Sequence, residues 1–287
     1  MKRQGRRLRY ILVYPLGMLV VFFLIPLAML VAFSFYHHPP GGFYEPAFTL
    51  ENYIRFFTKA LYLKRLAFTV QISFLTALLC LLLGYPFTYY LTRIASKKRF
   101  YVILVISTLW LSYIIRSYAW TVLLSRNAGI SKLFVWTGLI EQPMSYTPGL
   151  LAVIIGLVYV FLPFMILTLY GNLKGISREY EEASLNLGAG PWKTFWNVTL
   201  PLSKDGITLG ALLVFILTMG AYVVPSILGK PQQWTMAIII GDQATYESNV
   251  PFGAAMALVL MVFAIAVIWI IARLTGTKSL SMGAKAK

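Results

Sequence analysis

The sequence has 287 residues, 59% of them hydrophobic and 12% charged, and carries 25 Lys and Arg against 9 Asp and Glu for a net charge of +16. So apolar a composition excludes a soluble globular domain. The single cysteine, Cys80, excludes an internal disulfide and reads as a small apolar packing residue.

A helix rises about 1.5 Å per residue, so roughly 20 apolar residues cross a hydrocarbon core of about 30 Å. Six stretches reach that length: residues 11–33, 66–91, 100–124, 149–171, 206–228 and 252–272. They predict an all-α polytopic membrane protein with six transmembrane helices. The first follows the basic start MKRQGRRLRY, but at 23 residues it exceeds the ordinary signal-peptide core of about 7 to 15, and no small-x-small cleavage site follows. It is expected to be a retained span.

The basic residues sort by loop. They cluster at the N-terminus (Lys2, Arg3, Arg6, Arg7, Arg9), after span two (Arg93, Lys97, Lys98, Arg99), after span four (Lys174, Arg178, Lys193, Lys204) and at the tail (Arg273, Lys278, Lys285, Lys287), which places 17 of the 25 on one side. The positive-inside rule then puts both termini in the cytoplasm and offers anionic headgroups as partners, with no need of nucleic acid. Three segments follow: 1–65 with the first span and an outside interfacial segment, a five-helix region over 66–273, and a cytoplasmic tail over 274–287.

Outside the first span, HHPPGG predicts a turn, and FTLENYIRFF an amphipathic helix at the interface. His37 and His38 are adjacent and share no helix face, so no metal site is expected. ISKLFVWTGLI, in the segment 125–148, predicts a second interfacial helix. Within the spans, Gly206 with Gly210 and Gly253 with Ala257 allow close helix approach, inside the chain or between subunits. Pro15, Pro26, Pro86, Pro163 and Pro225 permit kinks.

Catalytic chemistry is thinly represented. No carboxylate lies deep in a span, although Asp205 stands at the mouth of the fifth; the phosphate-cradling G-x-x-x-x-G-K-[ST] is absent, and LGAGPW holds only the first glycines of a dinucleotide motif. The intramembrane charge is Arg116, in LWLSYIIRSYAW. It reads either as a residue that snorkels to headgroups or caps helix carbonyls, or as part of the solute pathway or the outer gate. Trp110, Tyr113, Arg116, Tyr118, Tyr222, Asp242, Tyr246 and Glu247 are the pathway or gate candidates, the last three from the outside loop 229–251.

Between spans four and five the chain turns polar. EEASLNLGAGPWKTFWNVTLPL, with Glu179 before it and Asp205 after, gathers four of the nine acids. Ser177 is the expected N-cap of a first helix whose early acids suit the positive end of its dipole. Gly188 and Gly190 make the turn, Pro191 starts a second helix, and Pro201 ends the unit, a loop of about 177–203. Trp192, Phe195, Trp196 and Thr199 gather at helical spacing. The shape fits either a partner's groove or an aromatic belt at the membrane surface.

Glu182, Ala183, Ser184, Gly188, Val198, Leu200 and Pro201 match the "E-A-A, three residues, G, nine residues, I-x-L-P" loop of ABC importer permeases. Ser184 stands for the second alanine and Val198 for the isoleucine. SYIIRSYAWTVLL, GLVYVFLPFMILTLYGNL and GAYVVPSILGKP extend the resemblance to permeases of the spermidine/putrescine type. The resemblance implies the type I permease fold in a bacterial inner membrane. It also implies a second permease subunit, an ATPase dimer gripped by the loop and a periplasmic solute-binding protein. No cofactor is implied on this chain, ATP and Mg being bound by the ATPase. Transport would proceed by alternating access. Polyamine sites usually offer carboxylates, and GAYVVPS has none, so an opine, an aminophosphonate or another small polar solute stays open beside a polyamine. An autonomous channel or secondary transporter is the alternative of another class.

Overall fold

The computed structural model describes residues 2–126, 129–138 and 141–275. Leu139 and Ile140 of the second outside segment, and the tail from residue 276 on, lie outside the described residues. The elements in chain order are α1 (Lys2–Ser34), α2 (Glu51–Thr58), α3 (Ala60–Arg93), α4 (Lys98–Ser107, continued by a 3-10 turn Thr108–Trp110), α5 (Tyr113–Leu123), α6 (Gly129–Trp136) and α7 (Leu150–Gly175). Then come α8 (Glu179–Asn186), α9 (Pro191–Leu202), α10 (Lys204–Met219), α11 (Val223–Leu228), α12 (Met236–Thr245) and α13 (Val250–Thr275). Among the described residues the only extended pairing is a bridge between His37 and Glu45.

Four helices, α1, α3, α7 and α13, are long and apolar enough to cross a membrane as they stand, and six spans are reached when each of two bent helix pairs counts as one. Expected span three is the first such pair, bent by 95° between Trp110 and Tyr113. Expected span five stops early. Helix α10 has 16 residues, about 24 Å, and gives way at Gly220 to a short irregular stretch before α11. The physical reason is local: Pro225 has no N–H to offer Ala221, and the Ala221 carbonyl instead accepts from Thr235 Oγ1 at 2.7 Å. The outside loop 229–251 likewise holds a helix, α12, started by the apolar run MAIII.

By internal packing the chain divides into two units, Met1–Leu63 with Ile239–Val262, and Lys64–Ile238 with Phe263–Lys287. In the first, α2 is the expected amphipathic helix and closes the end of α1. Asn52 Nδ2 donates to the Ser34 and Tyr36 carbonyls at 3.0 and 2.9 Å, satisfying acceptors that a helix end leaves free. His37 Nδ1 lies 3.2 Å from Glu51 Oε2.

In the second unit α7 is the axis, with Leu157, Met165, Leu169 and Leu173 fully buried. Helix α10 lies against it through the two glycines at four-residue spacing. A Cβ at Gly206 would stand 2.5 Å from Asn172 Cβ, and one at Gly210 would stand 2.7 Å from Met165 Sδ. That pair therefore serves packing within the chain. Cys80 is buried, its thiol 3.7 Å from the Val158 carbonyl.

Candidate functional site: a solute cavity and a docking loop

Two helix interruptions of the second unit, between Trp110 and Tyr113 and after Met219, border one cavity of about 270 Å³, lined by Tyr113 at the start of α5, by Gly220, Ala221 and Tyr222 at the break after α10, and by Val160 and Phe161 of α7. Irregular backbone at membrane depth is tolerated where it is buried in protein or faces water, because lipid cannot satisfy its polar groups. Two such breaks around one cavity make it the candidate solute site.

Arg116 stands one turn behind Tyr113. It is 4% exposed, its guanidinium carbon lies 4.8 Å from the Tyr113 ring and 6.0 Å from the Tyr159 ring, and its Nε and Nη1 have no hydrogen-bond partner. Snorkelling is thereby corrected: a residue this buried does not reach headgroups. The ring faces supply part of what a carboxylate would. Of the other candidates, Tyr222 lines the cavity, whereas Trp110, 87% exposed, and Tyr118, also exposed, fall outside its lining. Asp242, Tyr246 and Glu247 belong to the other unit. There Tyr246 is 81% exposed, and burial, followed by the Glu247 charge, pushes the Asp242 carboxyl above its ordinary pKa.

The polar loop forms two short helices, as its glycines and prolines predict, with several differences in detail. Ser177 acts as expected of the N-cap, its Oγ accepting from the Glu179 N–H at 3.3 Å, and helix α8 follows Arg178, which is itself helical and makes no side-chain capping bond. Its other end is a Schellman turn: Gly188 at φ +85° donates to the Leu185 carbonyl, and Ala189 to that of Ser184. Gly190 in extended conformation and Pro191 at the first position then open α9. Pro201 does not close the unit. The helix runs to Leu202, and a π turn over Phe195–Thr199 widens it where the proline ring would meet the Asn197 carbonyl.

Of the four residues expected near one another, Trp192, Phe195 and Trp196 do gather, with ring centroids 5.7 to 6.0 Å apart. Trp192 and Trp196 are exposed, Phe195 also packs edge-on against Tyr85 and Tyr89 of α3 at 5.8 and 5.4 Å, and Thr199 is fully buried. Tyr85 OH lies 2.8 Å from Ser203 Oγ, which itself donates to the Leu200 carbonyl. Ser184, the departure from the family's alanine, has a use here: its Oγ is 3.0 Å from Thr194 Oγ1 and joins the two short helices.

Sequence reasoning placed the weight on Glu182, which is exposed, and passed over Glu181. Glu181 Oε1 accepts from Thr199 Oγ1 at 2.9 Å and lies 3.0 Å from Arg93 Nε at the end of α3. The Arg93 contact is an ion pair without hydrogen-bond alignment, since Nε and Nη2 have no hydrogen-bond partner. Arg178 Nη2 donates to the Thr92 and Arg93 carbonyls at 3.1 and 2.7 Å, binding the loop to the negative end of the α3 dipole. A hint was present in the i, i+3 spacing of Glu181 and Ser184, both turned toward α9. On the outer side of the loop a groove of about 490 Å³ is lined by Ala183, Ser184, Gly188 and Val198 of the motif together with Tyr180 and Lys193.

A family model described as "binding-protein-dependent transport system inner membrane component" matches residues 95–276. The spermidine/putrescine transport system permease protein PotB of Salmonella typhimurium (strain SL1344) is 33% identical over 265 residues, covering 91% of this chain and 91% of its own. PotB of Escherichia coli (strain K12) is 34% identical over 249 residues, covering 86% of this chain and 90% of its own. Among solved structures, a bacterial ABC transporter involved in the import of the acidic polysaccharide alginate superposes with a TM-score of 0.74 at 14% identity, covering 95% of this chain and 96% of the other. The chain thus belongs to the inner membrane components of binding-protein-dependent transport systems, and is the permease subunit of an ABC importer, ATP hydrolysis falling to a partner ATPase.

Proposed function

We propose that this permease imports a polyamine of the spermidine/putrescine type, received from a periplasmic binding protein and released to the cytoplasm by alternating access. The observation that carries the substrate is the identity to two spermidine/putrescine permeases along nearly the whole chain. The loop 177–203, with Glu182, Ala183, Ser184, Gly188, Val198, Leu200 and Pro201, is the seat of the ATPase, and its outer groove receives it. The apolar part of α1, 6% buried, is left for lipid and a second permease subunit. Both termini lie in the cytoplasm. Proteoliposomes holding the whole complex and its binding protein are expected to take up labelled spermidine or putrescine with saturable ATP dependence, each polyamine competing with the other and an opine with neither. Competition by the opine alone would overturn the substrate.

One observation favours a zwitterionic solute instead: the cavity has the Arg116 cation behind it and no acid in its lining. Arg116→Met separates the two. For a polyamine, uptake is expected to hold or rise as a repelling charge is removed. For a solute with an anionic group, KM is expected to rise at least about tenfold, the worth of a charge-assisted hydrogen bond. The substitution trades a buried unpaired cation for an apolar side chain, so the stability of the purified complex is not expected to fall.

A further inference from the structure

Where α3 ends, α4 begins and α7 ends, a cavity of about 260 Å³ is walled by Arg93, Lys98, Lys174 and Arg178, with Ser177 and Tyr170 beside them. Four cations meet there, and carbonyls rather than carboxylates hold most of them. Lys98 Nζ donates to the Thr92 carbonyl at 2.6 Å, Arg93 Nη1 to that of Ile176 at 3.2 Å, and Arg178 to those of Thr92 and Arg93. A carbonyl accepts a hydrogen bond but cancels no net charge. Among the described residues Glu181 is the only acid within ion-pair distance of any of the four, at Arg93, so three positive charges stand uncompensated. The Arg93 side chain is 8% accessible, yet its buried Nη2 has no hydrogen-bond partner. Lys174 has only the Tyr170 ring, 5.9 Å away.

We propose that this cavity binds a phosphate group, and that its usual occupant is the headgroup phosphate of an anionic lipid. Guanidinium and ammonium donors converging on a small cavity suit a tetrahedral oxyanion. The ends of three membrane helices place the cavity at headgroup depth, on the side where positive charge accumulates. A phosphate there draws the ends of α3 and α7 together and holds Arg178, which leads into α8. The site stands on its own geometry. Its consequence, that anionic lipid stiffens the ATPase-docking loop, rests on the reading of that loop proposed above.

The test uses the complete importer in nanodiscs of phosphatidylcholine doped with phosphatidylglycerol. Retained lipid is counted by native mass spectrometry, and co-purified ATPase is measured in the same samples. Phosphatidylglycerol is expected to be retained over phosphatidylcholine. Lys174→Gln, which breaks no hydrogen bond in the chain, and Lys98→Gln are each expected to weaken retention about fivefold. Lys193→Gln, on the loop but outside the cavity, is expected to leave it unchanged. Millimolar inorganic phosphate that displaces the lipid from wild type but not from Lys174→Gln supports the shared phosphate chemistry. Phosphate protection of Arg93 and Lys174 without lipid selectivity supports the site with free phosphate as its source. Equal retention of the two lipids with no phosphate effect, or a Lys174→Gln complex that binds as wild type does, overturns the proposal. ATPase content tests the loop separately: unchanged ATPase content in a Lys174→Gln complex that has lost its lipid counts against the stiffening of the docking loop and leaves the site standing.

Discussion

Glu181→Ala is expected to destabilise the docking loop by about 3 kcal/mol, the lower part of the range for removing one partner of a buried ion pair. The Arg93 and Glu181 side chains are 8% and 15% accessible, and the guanidinium already has two nitrogens without hydrogen bonds. Without the carboxylate the remaining charge is buried beside a helix end that satisfies only part of it, and Thr199 Oγ1 loses the acceptor it reaches at 2.9 Å. The measurement is thermal unfolding of the detergent-solubilised complex, together with protease sensitivity of residues 177–203 and the amount of ATPase that co-purifies. Glu181→Gln keeps an acceptor for Thr199 and removes only the charge, so it is expected to fall between wild type and alanine. Arg93→Met combined with Glu181→Leu removes both charges and is expected to recover much of the loss. A Glu181→Ala complex as stable and protease-resistant as wild type would mean that this pair does not hold the loop.

The residues that make this network show what a sequence can reveal of the molecule. Helices α1, α3, α7 and α13 were legible because an unbroken apolar run of sufficient length has few other fates. The turn at Gly188 and the start at Pro191 were legible because only certain residues tolerate those backbone states. Hydropathy carries no direction, so the 95° bend between Trp110 and Tyr113, which has neither glycine nor proline at it, was hidden inside one apolar stretch. The break at Gly220 had both its signals, Gly220 and Pro225, but proline inside a span reads equally well as a kink until Thr235, distant in sequence, takes the freed carbonyl. Pro15, Pro26, Pro86 and Pro163 lie within continuous helices. Glu181 was missed for a related reason. Helix-end electrostatics favour any acid in the first turn, and only tertiary packing decides that Glu181 turns inward to Arg93 while Glu182 faces out. Of the pathway candidates, Tyr113 and Tyr222 were brought to one cavity by the two breaks, which no periodicity could register.

Gly188→Asp is expected to leave the permease inserted and folded while lowering ATP-driven uptake at least about thirtyfold, the effect of losing one contact that anchors an interface. Two properties of the position separate this outcome from simple misfolding. Its φ of +85° is a left-handed conformation that costs a residue with a Cβ about 1–2 kcal/mol, a strain local to the turn. A Cβ built there meets nothing within 4 Å, so no clash inside the chain adds to that strain. The new carboxylate therefore enters the outer groove beside Ala183, Ser184 and Val198, where the proposed reading seats the ATPase. Gly188→Ala imposes the same backbone strain without charge or bulk, and is expected to retain most of the uptake. The pair is informative because the two substitutions diverge only at the groove. Normal uptake by the aspartate variant would remove the ATPase from this face of the loop, and alanine as damaging as aspartate would assign the effect to the turn itself.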